Sequence, residues 1–107
     1  MFNKITSNSL RDELTKQESP KLIDLRPQQE FRDGHIEGSV NIPWDDLNVQ
    51  QLIEKHQNET VYLICHGGRL SQSVAELLRD SGLVNAIVLA GGILAWRVMG
   101  FPLNKIS

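Results

Sequence analysis

Residues 61–71 read VYLICHGGRLS and contain the chain's single cysteine, Cys65. An apolar, partly β-branched run leads up to the thiol, and two glycines, an arginine and a helix-like stretch follow it. The thiolate is the reactive form of cysteine, and the local sequence favours an anion at this position. Gly67 and Gly68 carry no side chain to block their backbone amides, and both tolerate φ > 0. The loop can therefore curl into a cradle of N–H groups at the start of a helix, where the dipole favours negative charge. Arg69 adds a fixed positive charge, and no Asp or Glu occurs between Val61 and Ala75. The anion is either the thiolate itself or a bound oxyanion. The alternative is an inert buried cysteine acting as a small hydrophobe, and the strand–Cys–Gly–Gly–Arg–helix context argues against it.

The elements that must position this loop follow from periodicity. Ser7 or Asn8 can cap a helix through about Lys16, with Leu10 and Leu14 on one face. Lys21–Leu25 reads as a short buried strand. Pro27 opens a brief helix at its first position, which stops at the turn residue Gly34. Ser39–Ile42 is a short extended piece ended by Pro43. Leu47–His56 is a second helix with Leu52 and Ile53 facing inward. Thr60–Cys65 is a strand whose near-continuous apolar character implies burial on both faces. Ser71–Asp80 is a helix with Val74, Leu77 and Leu78 on one face, ended by Gly82. Ala86–Ala90 is a further buried strand, and Gly92–Met99 a closing helix. Strands alternating with helices imply an α/β domain with a mainly parallel sheet covered on both faces. Ligands in such sheets sit at the carboxyl ends of strands, which is where Cys65 lies.

The chain has 107 residues, of which 40% are hydrophobic and 22% charged. That fits one small globular domain spanning 1–107. A net charge of −2 points to neither nucleic-acid nor membrane-surface binding. One cysteine cannot close an internal disulfide or supply a Cys-rich metal site. His35, His56 and His66 show no metal-ligand spacing, so no metal and no cofactor are expected. A free thiol suits a reducing compartment, and the expected location is cytoplasmic.

Three motifs carry a resemblance that covers about residues 5–103. The loop CHGGRLS resembles the active-site loop of rhodanese-homology domains, which runs Cys-x-x-Gly-x-x before a helix. Upstream, Asp24, Arg26, Glu30, Phe31, Gly34, His35, Ile36, Gly38, Asn41, Ile42 and Pro43 resemble the same family's signature. Downstream, Gly91, Gly92, Trp96, Gly100 and Pro102 resemble its ending. The resemblance implies a single-domain rhodanese: a three-layer α/β domain with a mostly parallel five-stranded sheet flanked by helices. It also implies a thiosulfate sulfurtransferase in which Cys65 takes a sulfane sulfur as a persulfide. The sulfur then passes to cyanide, a thiol or a protein acceptor. The backbone amides of His66, Gly67, Gly68, Arg69, Leu70 and Ser71 are the expected donors to the donor anion and the outer sulfur. Two departures stand out: Leu70 occupies the sixth loop position, where many active members carry Arg, and Ser39 replaces the usual Ala.

Two other functions compete for the same residues. A phosphatase or arsenate-reductase loop needs five residues between Cys and an anion-holding Arg. That position here is Ser71, so the loop is too short for a tetrahedral phosphate. A non-catalytic or sulfur-carrier module of the same fold is the other alternative. His66 as a base for Cys65 is disfavoured because adjacent side chains diverge. Asp24 and Arg26 either orient the loop and steer substrate or form a structural ion pair. His35 is expected to play a hydrogen-bonding role, Trp96 to be core, and Trp44 to lie partly exposed near the rim of the site. A β-branched residue at Gly68 is expected to crowd the anion pocket. Arg69, if desolvated, is expected to read the charge of thiosulfate strongly.

Overall fold

The computed structural model describes residues 3–16 and 20–106. Its sheet has five strands: β1 (Asn3–Ile5), β2 (Lys21–Asp24), β3 (Ser39–Asn41), β4 (Val61–Ile64) and β5 (Ala86–Leu89). Their spatial order is β1-β5-β4-β2-β3, and every pairing is parallel. Five helices cover it: α1 (Ser7–Lys16), α2 (Gln28–Asp33), α3 (Val49–Lys55), α4 (Arg69–Asp80) and α5 (Gly92–Val98).

Alternate residues of each inner strand feed opposite cores, as a strand's period of two requires. Val61 and Leu63 of β4 pack with Leu52 of α3 and Val74, Ala75 and Leu78 of α4. Tyr62 and Ile64 pack with Leu10 of α1 and Ile93 and Trp96 of α5. All four residues of β4 are buried, which explains its continuous apolar run.

Several boundaries differ from the sequence reading, each for a local reason. The cap of α1 is Thr6, whose Oγ1 accepts from the Ser9 amide at 3.1 Å. Pro27 stands just ahead of α2 instead of at its first position. The expected helix from Leu47 is shorter, because Asn48 caps α3 by accepting from the Gln51 amide. A separate 3-10 turn at Trp44–Asp46 precedes it. Helix α4 begins at Arg69, two residues early, because Gly68 at φ 95° turns the chain directly into it. The strand that sequence reading missed is β1. It is three residues long, largely exposed and polar but for Ile5, so it carries no alternation signal. Its place is set by pairing with β5.

The topology locates the site. The chain leaves β2 for β3 on one side and β4 for β5 on the other. The carboxyl ends of β2 and β4 therefore flank a topological switch point, where open α/β sheets form a ligand crevice. Leu25 and Cys65 are the residues that follow these two strands.

Candidate active site

The crevice at the switch point is a cavity of about 720 Å³. Leu25, Arg26, Pro27 and Glu30 line it from the β2–α2 side, and Cys65, His66, Gly67, Arg69, Leu70 and Ser73 from the β4–α4 side. Cys65 is 3% exposed. The Gly68 amide donates to its Sγ at 3.1 Å and the Ser71 amide at 3.4 Å. The loop does curl around the sulfur, and the N-terminus of the twelve-residue helix α4 aims at it. Ser71 itself is fully buried, and its hydroxyl has no hydrogen-bond partner among the described residues.

What holds the cradle open was not legible in the loop. The carbonyl of Cys65 accepts from the Ile93 amide at 2.9 Å, and that of His66 accepts from the Leu94 amide at 3.1 Å. The first turn of α5 thus pins both carbonyls away from the sulfur, which leaves the following amides free to face it. This approach is possible because Gly92 has no side chain. A Cβ there would lie against the Cys65 carbonyl oxygen and 2.6 Å from that of His66, and the residue sits at φ +59°.

The two loop glycines do different work. Gly68 has φ +95°, whereas Gly67 adopts no positive φ and faces open space. The expectation that a side chain at Gly68 crowds the anion pocket is corrected. Its Cβ would point at the Gly91 amide nitrogen, 3.1 Å away, and so would press on the β5–α5 turn.

Asp24 and Arg26 form a structural pair. Arg26 makes a bidentate contact to Asp24, Nε at 3.0 Å and Nη2 at 2.8 Å, with side chains 2% and 0% exposed. Nη2 also donates to the Gly34 carbonyl at 2.7 Å. With Nε and Nη2 committed in this way, Arg26 ties the ends of α2 and β2 together at the cavity wall. Removing one partner of a buried pair leaves an uncompensated charge. Arg26→Met is expected to lower stability by about 3–5 kcal/mol, read by denaturant unfolding. A change under about 1 kcal/mol would show that the pair holds nothing together.

Other residues fall as their chemistry requires. His66 is exposed, with Nδ1 3.8 Å from a carboxylate oxygen of Glu30 across the mouth. The loop lacks acidic residues, but the fold brings Glu30 to its rim. His35 Nδ1 donates to the Phe31 carbonyl at 2.9 Å, and its ring stacks on the Phe31 ring. Trp96 is buried, with Nε1 donating to the Pro102 carbonyl. Trp44 is 44% exposed, and its backbone amide donates to the Leu25 carbonyl. Among the described residues no His, Cys, Asp and Glu cluster could hold a metal ion, and no helix is long and apolar enough to cross a membrane.

The chain belongs to the rhodanese-like domain family, whose model matches residues 6–98. The crystal structure of a rhodanese-like domain protein from Staphylococcus aureus superposes with a TM-score of 0.82 at 29% identity, covering 99% of this chain and 100% of that one. YrkF of Bacillus subtilis (strain 168), provisionally named a sulfur carrier protein, is 28% identical over 92 residues, covering 86% of this chain and 49% of that protein. The adenylyltransferase and sulfurtransferase uba4 of Ogataea parapolymorpha is 28% identical over 85 residues, which is 79% of this chain and 22% of that protein. The chain thus spans about half of the first of these relatives and under a quarter of the second.

Proposed function

We propose that this chain acts as a single-domain sulfurtransferase that carries sulfane sulfur as a persulfide on Cys65. The observation that supports it is the amide cradle: the N–H groups of Gly68 and Ser71 face Sγ at the base of an open cavity. In the loading step the Cys65 thiolate attacks the outer sulfur of thiosulfate. A bond forms between the two sulfurs, the donor's sulfur–sulfur bond breaks, and sulfite leaves with the bonding pair. The product, Cys65–S–S⁻, keeps one negative charge for the cradle to hold. In the unloading step a nucleophile takes the outer sulfur and Cys65 departs as thiolate. No metal or cofactor enters either step. The free thiol that this cycle needs persists in a reducing compartment such as the cytoplasm.

The remaining loop amides, those of His66, Gly67, Arg69 and Leu70, complete the cradle when the persulfide or donor anion is bound. The experiment is the intact mass of the protein after thiosulfate, then after cyanide. A gain of one sulfur atom that cyanide removes is the expected result. No gain with any sulfane donor overturns the reading in favour of a non-catalytic module.

Arg69 enters this chemistry from the rim. It is exposed and makes no ion pair among the described residues. An exposed charge contact contributes roughly 0.2–1 kcal/mol, so the strong effect expected of a desolvated Arg69 is replaced by a modest one. Arg69→Ala should lower kcat/KM for thiosulfate by about 1.5- to 5-fold, and salt should erase the difference. Steady-state kinetics at two ionic strengths measure this. A loss above about 30-fold that survives salt would mean that the guanidinium turns inward and is desolvated.

A further inference from the structure

The cavity at Cys65 does not end at the crevice. Leu25, Pro27 and Leu70 form one wall of a second hollow of about 420 Å³, whose far side is built by Pro43, Trp44, Asp45 and Asp46. The two hollows share those three apolar residues and therefore adjoin; taken together they are a groove along the carboxyl ends of β4, β2 and β3. Backbone bonds set the groove's shape: the Leu25 amide donates to Ile64, and the Trp44 amide donates to Leu25. Two strand spacings of about 4.8 Å put the ends of the groove roughly 10 Å apart. A thiosulfate ion occupies only the Cys65 end of such a track.

We propose that this groove docks an extended polypeptide segment that brings the accepting cysteine to Cys65. The proposal rests on the persulfide reading above and names the acceptor class. Three observations support it. First, the length matches three to four residues of extended chain at about 3.3 Å each. Second, Trp44 leaves much of its ring in solvent, while its backbone is held by Leu25 and by a 3-10 turn capped by Pro43. A large, preorganised exposed aromatic beside a reactive site is the kind of residue that anchors a partner. Third, charge differs along the track. Arg69 stands at the sulfur end, where the one lining carboxylate, Glu30, faces His66, whereas Asp45 and Asp46 stand exposed at the other end with no ion pair among the described residues. The complementary partner carries Lys or Arg three or four residues from its cysteine.

Transfer in the groove needs no further reactant. The acceptor sulfur attacks the outer sulfur of Cys65–S–S⁻ and supplies the electron pair of the new bond. The bond to Sγ breaks, and Sγ leaves with its pair. The acceptor's thiol proton passes to the terminal sulfur of the new persulfide. The acceptor cysteine is oxidised to its persulfide, and Cys65 is reduced to thiolate.

The test uses short synthetic peptides with one cysteine and a lysine four residues away, a lysine-to-glutamate version, and a cysteine-to-serine version. Binding of the serine peptide to the unloaded protein, followed by NMR shifts, reads the groove without any sulfur chemistry. Trp44→Ala should weaken that binding about tenfold, and Asp45→Asn with Asp46→Asn should weaken it less. The charge-reversed peptide should bind more weakly than the original to the native protein. In transfer assays on protein loaded with persulfide, the ratio of peptide to cyanide kcat/KM should fall about tenfold in Trp44→Ala. Peptide binding unaffected by Trp44→Ala and by charge reversal would overturn the proposal. Glutathione accepting sulfur as well as the peptide, with equal losses for both on substitution, would overturn it in favour of a small-thiol acceptor. A protein that binds the peptide through Trp44 but never gains sulfur would contradict the persulfide reading and leave the groove standing.

Discussion

Cys65→Ser eliminates sulfur loading and all sulfur transfer while leaving the fold in place. The hydroxyl cannot form a persulfide, so the loss is complete to the background of the assay. The fold tolerates the change because Ser is smaller by little and because the amides of Gly68 and Ser71, which now donate to Sγ, can donate to an oxygen. Those donors would stay satisfied, which avoids the cost of about 1–3 kcal/mol for a buried polar group left alone. The expected change in melting temperature is therefore under about 5 °C, the shift that roughly 1 kcal/mol makes in a domain of this size. Intact mass after thiosulfate, cyanide turnover and thermal unfolding on the same preparation check it. Turnover by a folded Cys65→Ser protein would remove the covalent mechanism.

Gly92→Ala damages both the fold and the site, although residue 92 lies outside the loop that carries the thiol. Two costs add. A non-glycine residue at φ +59° pays about 1–2 kcal/mol for the left-handed region. A methyl group pressed on the carbonyls of Cys65 and His66 is overpacking against backbone, which costs about 1–3 kcal/mol more. The sum, roughly 2–5 kcal/mol, corresponds to a fall of about 10–30 °C in melting temperature. The same displacement loosens the bonds from Ile93 and Leu94 that pin the loop carbonyls. The Gly68 amide then loses its aim at Sγ, and sulfur loading measured well below the melting temperature falls at least about tenfold. Gly67→Ala is the control, since a Cβ there meets open space. A melting temperature for Gly92→Ala within about 3 °C of the native protein would show that the α5 turn does not set the loop.

The sequence alone determined the thiol and its immediate setting. An apolar strand, one cysteine, two glycines and a helix start are local features, and the chemistry of an amide cradle follows from them without a fold. The parallel α/β architecture was equally legible, because buried strands and amphipathic helices alternate with distinct periods. The neighbourhood across the chain was not. Gly92 lies 27 positions beyond Cys65, and although it belongs to the closing motif, nothing in the sequence ties it to the thiol. Its role appears when α5 is laid against the carbonyls of the loop. Glu30 reaches the rim although the loop is free of acid, and Arg26 is held at the cavity wall by Asp24 and Gly34. Trp44 meets the wall of the Cys65 cavity because β3 is added beside β2. Strand order made these contacts: β4 stands between β5 and β2, so the loop after it gathers residues from both halves of the chain. Periodicity reports which face of an element is buried, but not which element lies beside it. That choice depends on the packing of all the faces at once.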